Sequence, residues 1–158
     1  MSAVRRALSK LAALPKDERR LLLEAALLLP LVYTLQSTLP FRRWRALLTQ
    51  APLPPAAASR APPAATPPQI AQAIERARRG VPGVYKCLPQ AYAGHLLLHH
   101  HGHDSVVQVG VARDAKGGVE AHAWVELGGK ILIGELPDLG RFVPLPPLVE
   151  ARPRARKQ

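Results

Sequence analysis

The chain is poor in cysteine and in aromatic residues. Cys87 is the single cysteine among 158 residues, so no internal disulfide framework and no multi-cysteine zinc site can form. An isolated thiol fits a reducing compartment, which points to the cytoplasm. Aromatic residues make up 4% against 47% hydrophobic residues in all, so the core must be built mostly from Leu, Val, Ile and Ala. A secretory signal is also missing: residues 3–20 are charged throughout, and no small-residue cleavage site follows the apolar run behind them. That run, residues 21–35, contains Glu24 and Pro30, and its 15 residues fall short of the roughly 20 that cross a bilayer. It reads as a buried or partner-binding helix, not as a membrane span.

The net charge of +11 invites a nucleic-acid reading. The placement of the charges argues against it. Basic residues are scattered at segment ends, around Arg5, Arg19, Arg42, Arg76 and in the tail from Arg152 to Lys157. No aromatic stacking platform, helix-turn-helix or glycine-rich phosphate loop accompanies them. An acidic peptide or an acidic partner surface uses this charge better.

The chain divides into an N-terminal helical segment (1–50), a Pro/Ala-rich linker (51–68), a domain with a sharp pattern (69–150) and a basic tail (151–158). In the first segment a helix opens after Pro15, with Asp17 and Glu18 where the helix dipole favours acids. Pro30 is expected to end or kink it. A short helical stretch over 31–39 follows, and a basic amphipathic one over 41–48. The linker is expected to be extended and semi-rigid, since so many prolines exclude helix and central strand. Residues 70–80 repeat apolar positions at helical spacing and stop at Gly80 and Pro82.

From Cys87 the pattern predicts a helix over 88–101 with Pro89 in its first turn, then strands over 106–111, 119–127 and 130–136. A turn over 114–118 joins the first two strands, and a tight Gly128-Gly129 hairpin joins the last two. One helix followed by an antiparallel meander is an α+β arrangement.

Cys87 stands at the start of its helix, where free backbone N–H groups, the dipole and neighbouring Lys86 favour a thiolate and can hold an oxyanion. Against this stands the usual fate of a lone cysteine as a small buried hydrophobe. His122 interrupts an apolar strand, with Trp124 and Glu126 on its face and Ala123, Val125 and Leu127 on the other. A Cys at a helix start and a His on a strand of the following sheet is how papain-like enzymes pair nucleophile and base. If Gly128-Gly129 is a two-residue loop, paired residue numbers sum to 257 and Glu135 lies opposite His122. Glu135 is then the acid that fixes the imidazole, with Asp138 as the alternative if the turn is longer or bulged. His95, His99, His100, His101 and His103 read as a solvated helix end. No carboxylate or cysteine nearby completes a metal site on the i, i+4 pair His95 and His99.

The string Cys87-Leu88-Pro89, Ala91, Leu96-Leu97 and Gly102, then Val109-Gly110-Val111, then Ala121-His122-Ala123-Trp124-Val125-Glu126, resembles the lasso-peptide maturation peptidases of the transglutaminase-like superfamily. The likeness is strongest over 70–136. Leu39-Pro40-Phe41-Arg42-Arg43 after Leu-rich helices extends it. The resemblance implies a cysteine peptidase that removes the leader from a ribosomally made precursor peptide, with Cys87 and His122 catalytic and no metal or organic cofactor. The family's third residue is more often Asp; here Glu135 fills the matching position. Because the first 50 residues read as helical without strands, the resemblance implies the split form, in which a separate winged-helix recognition protein captures the leader. A macrolactam-forming cyclase is the further partner implied. Transfer to an amine, as in a transglutaminase or amidase, uses the same residues, and a non-catalytic peptide-binding module is the remaining alternative.

Overall fold

The computed structural model describes residues 9, 11–50, 65–83 and 85–148. Four main helices and a small sheet follow in order: α1 (Lys16–Thr38), α2 (Phe41–Gln50), α3 (Pro67–Gly80), α4 (Cys87–His100), β1 (Val106–Arg113), β2 (Val119–Leu127), β3 (Lys130–Ile133), a short 3-10 turn (Leu139–Arg141) and β4 (Val143–Pro144). The sheet is antiparallel with order β3-β2-β1-β4, which makes the fold α+β.

α1 runs unbroken through Pro30, contrary to the expected break. A mid-helix proline forfeits one backbone hydrogen bond and crowds the preceding turn. Here burial outweighs that cost: Leu29 and Val32, on either side of Pro30, are both fully enclosed. Full burial of one such side chain is worth about 1.5–3 kcal/mol. The Thr34 hydroxyl donates to the Pro30 carbonyl at 2.8 Å. The helix is 23 residues long and passes the length and composition test for crossing a membrane. Its Leu21, Ala25, Leu29 and Val32 nevertheless share one core cluster with α3, α4 and the sheet. α1 packs directly on α3 and α4, so the boundary expected at residue 50 separates no independent core.

Residues 51–64 of the expected linker lie outside the described residues, and its last part is already helix. α3 starts at Pro67, with Pro67 and Pro68 in the first turn, where a missing N–H costs nothing. Thr66 and Gln69 close a capping box there: the Gln69 Oε1 accepts from the Thr66 backbone N–H at 2.8 Å.

The β1–β2 ladder is regular from Val106↔Glu126 to Arg113↔Val119. The β2–β3 hairpin begins as expected, with Leu127↔Lys130 and Glu126↔Ile131, across Gly128 and Gly129 at φ +57° and +78°. Both values are the positive φ that a two-residue type I′ turn demands. The register then shifts, so that Val125 pairs with Ile133. β3 therefore ends at Ile133 and does not reach residue 136. β4, two residues paired to the outer edge of β1, has no counterpart in the sequence pattern.

The histidines at the end of α4 are not a solvated cluster. The His95 Nδ1 lies 2.9 Å from the Ser105 hydroxyl, and burial, with a smaller contribution from the charge of His99, pushes its pKa down from 6.5 to about 4. A depressed histidine pKa means that the unfolded chain binds the proton more tightly. Stability therefore holds above pH 6.5 and falls as acid is added between pH 6.5 and about 4, by an amount on the order of 3 kcal/mol. Urea midpoints measured at pH 7 and pH 4.5 should differ accordingly, and His95→Asn should flatten the difference. Equal slopes for the two proteins would refute this assignment.

Candidate active site

Cys87 is the first residue of α4, with Lys86 as N-cap in an extended conformation. The first-turn N–H groups of a helix lack intrahelical partners and point along the axis toward whatever lies at Cys87. Pro89 occupies the third helical position without disturbing the turn. Gln90 secures the approach to this helix start, its Nε2 donating to the Tyr85 carbonyl at 2.6 Å. The cysteine is half-buried, packed against the core but open on one side.

That open side is a cleft of about 490 Å³. Cys87 and Gln90 contribute from α4, His122 from β2, and Leu132, Ile133, Gly134, Glu135 and Leu136 from β3 and the chain after it. The facing wall is α3, through Ala71, Ile74, Glu75 and Arg78. The structure thus brings Cys87, His122 and Glu135 to one cavity. The α3 wall was not foreseen, although its i, i+3, i+4, i+7 spacing is that of one helix face. Hydrogen bonds from Arg78 foremost and then Arg79 pull the Glu75 pKa down from 4.5 to about 2, so at neutral pH this wall carries an ion pair.

His122 is held on several sides. Its ring stacks on Trp124 (6.2 Å between centroids, 17° between planes) and lies 5.6 Å from Phe142. The Trp124 indole N–H donates to Glu126 at 2.7 Å, fixing the ring on which His122 rests. Gly110 pairs with His122 across β1 and β2, and a side chain there would meet Trp124 and Phe142 at 2.9 Å. The Phe142 ring in turn lies 4.4 Å below the Arg141 guanidinium. The His122 Nε2 sits 2.7 Å from the Gly134 carbonyl oxygen. A carbonyl can only accept, so this contact is a hydrogen bond only with the proton on Nε2, the tautomer that leaves Nδ1 basic in the neutral ring.

The expected opposition of His122 and Glu135 does not occur. After the register shift between Val125 and Glu126 the ladder ends at Val125↔Ile133, short of His122, and the residue bonded to the imidazole is Gly134. Glu135 stands next along the chain, exposed on the cleft wall, and makes no hydrogen bond or ion pair among the described residues. Asp138 is engaged elsewhere: the Arg141 Nε donates to its Oδ2 at 2.6 Å, while the Arg141 Nη2 reaches Glu120 at 2.6 Å. The hydrogen bond from Arg141, with lesser help from the charges of Arg141 and His122, holds the Asp138 carboxyl below the usual carboxylate range.

Outside the cleft, Glu24, His100 and His101 bring possible ligand atoms within 4.8 Å of one another. The His101 Nδ1 accepts from the Ala65 N–H at 3.2 Å, so in the neutral ring Nε2 bears the proton and faces Glu24 at 3.3 Å. This is the pattern of a hydrogen-bonded pair, and a metal on Nε2 would have to displace its proton.

The family model described as the transglutaminase-like superfamily matches residues 26–146, spanning α1 to β4. No curated protein and no solved structure matches the chain.

Proposed function

Since the chain belongs to the transglutaminase-like superfamily, whose members are generally cysteine peptidases or acyl transferases, we propose that it is a cysteine peptidase that removes the leader from a lasso-peptide precursor. The observation that carries the catalytic part is the shared cleft. It places a thiol at a helix N-terminus together with a histidine whose Nε2–H is already committed. Support for the substrate class comes from the Cys87-Leu88-Pro89 helix start combined with the Ala121 to Glu126 string.

In the proposed reaction the Cys87 Sγ attacks the scissile carbonyl, and its proton passes to the His122 Nδ1. Backbone N–H groups at the start of α4 are aimed to receive the oxyanion. Collapse breaks the C–N bond, the imidazolium gives its proton to the departing amine, and a thioester remains on Cys87. Water, deprotonated by His122, then releases the acid and the thiol. Glu135, beside Gly134 on the cleft wall, is assigned to favour the imidazolium through its charge. A free thiol nucleophile suits the reducing cytoplasm, where we place the protein. Incubation with precursor peptides tests the reading: hydrolysis gives fragments whose masses sum to the precursor plus water. A product carrying an added amine would mark an acyl transferase, and no turnover of any precursor would reject the peptidase reading.

We further propose that a separate leader-recognition protein docks on the outer faces of α1 and α2. Leu23, Leu27 and Leu31 form an i, i+4, i+8 stripe, and Leu27 is 73% exposed. Phe41 and Leu47 on α2 are also exposed, next in sequence or one turn on from exposed Arg42 and Arg43, which suits a partner with an acidic rim. Removing residues 1–50 would be a poor test, because α1 fills the core. Leu27→Glu with Leu31→Glu should leave the melting temperature within a few degrees and weaken partner-stimulated cleavage at least about tenfold. Unchanged stimulation in a folded double variant would exclude this face.

A further inference from the structure

We propose that the backbone carbonyl of Gly134, not a carboxylate, sets the tautomer of His122, which makes Gly134 a positioning residue of the site. The consequence for catalysis rests on the peptidase reading above; the tautomer itself does not.

The local backbone explains why a carbonyl takes this place. Between Val125 and Glu126 the hairpin register slips by one, and β3 ends at Ile133. Gly134 follows at φ +84°, a left-handed conformation that turns its peptide away from the ladder direction. Its oxygen then meets the His122 Nε2 at 2.7 Å. Space and conformation both demand glycine: a Cβ at this position would lie 2.8 Å from the Ala123 carbonyl oxygen and 3.1 Å from the Trp124 Cα. These are backbone atoms of the strand that carries His122, and they cannot yield without moving the histidine.

Trp124 and Phe142 hold the ring, so its nitrogens do not readily exchange places. With Nε2–H donated to an acceptor that has no proton to return, neutral His122 keeps its lone pair on Nδ1. Two tasks that one acid performs in a Ser-His-Asp arrangement, orienting the imidazole and stabilising its charged form, are here divided between adjacent residues. Gly134 orients. Glu135, one residue on in the cleft wall, supplies charge along with Asp138, whose carboxyl interacts with the charge of His122.

The test reads the imidazole directly in the intact protein. Uniform ¹⁵N-histidine labelling with long-range ¹H–¹⁵N correlation spectra, recorded where the ring is neutral, should show His122 with a protonated Nε2 and a bare Nδ1. The signals are assigned by their loss in His122→Gln. Glu135→Gln should keep the same pattern, while Gly134→Ala, if folded, should lose it and lower kcat by about a hundredfold, with a smaller change in KM. A wild-type ring protonated on Nδ1 would overturn the proposal, as would a tautomer that switches in Glu135→Gln or persists in folded Gly134→Ala. If Gly134→Ala does not fold, the wild-type and Glu135→Gln spectra decide. Absence of peptidase activity would reject the functional reading and leave these spectra unaffected.

Discussion

Cys87→Ala should abolish precursor cleavage, a loss of about a thousandfold or more, while the protein stays folded. The size follows from chemistry: without the sulfur no acyl-enzyme forms, and the remaining donors can only polarise a carbonyl that water attacks slowly. The fold should survive because Cys87 is half-buried at a helix start and alanine is the best helix former. Mass spectrometry of precursor digests checks the first part and thermal melting the second. Cleavage at the wild-type rate in Cys87→Ala would remove the thiol from the mechanism. Cys87→Ser sharpens the result, because it restores a nucleophile of similar size without thiolate chemistry. It should remain within about tenfold of the alanine variant.

The second large effect is at His122. His122→Gln should reduce cleavage by about a thousandfold. Glutamine is the right replacement here: its amide can still donate to the Gly134 carbonyl and fills much of the space beside Trp124 and Phe142, but it cannot take the Cys87 proton. The variant also separates base catalysis from packing. If it melts like the wild type, the lost rate belongs to proton transfer. Residues that act as one unit have non-additive effects, so Cys87→Ala combined with His122→Gln should be no slower than Cys87→Ala alone. A double variant slower by a further thousandfold would mean that His122 works independently of the thiol.

Much of the architecture could be read from residue order because local chemistry dictated it. Val119–Leu127 alternates and is bounded by Gly118 and Gly128, so its ends are explicit. Lys86, Cys87 and Pro89 mark a helix start with no competing solution. The acid was harder to place. A period of two predicts who faces whom only while the ladder holds, and a single extra residue at Leu132 rewrites the partner of every later position. The glycine that ends β3 was visible, but not that its oxygen would reach the histidine. Pro30 misled for a different reason. Its local penalty is real, but Leu29 and Val32 offset it through contacts with helices that lie far along the chain. The same holds for the α4 histidines, whose partners Glu24, Ala65 and Ser105 include two that are remote in sequence.

Two of those histidines have a consequence for how the chain can be re-engineered. The His101 Nδ1 accepts from the Ala65 N–H and the His103 Nε2 lies 2.8 Å from the Ala65 carbonyl oxygen, so the residue just before the α3 cap is moored to the end of α4 through both its N–H and its C=O. The wall of the cleft that carries Arg78 thus takes its position from a fixed anchor, whatever the length of chain between Gln50 and Ala65. An affinity tag or a fluorescent label spliced between residues 51 and 64 should therefore leave turnover unchanged, which makes that stretch the natural handle for following the protein in solution.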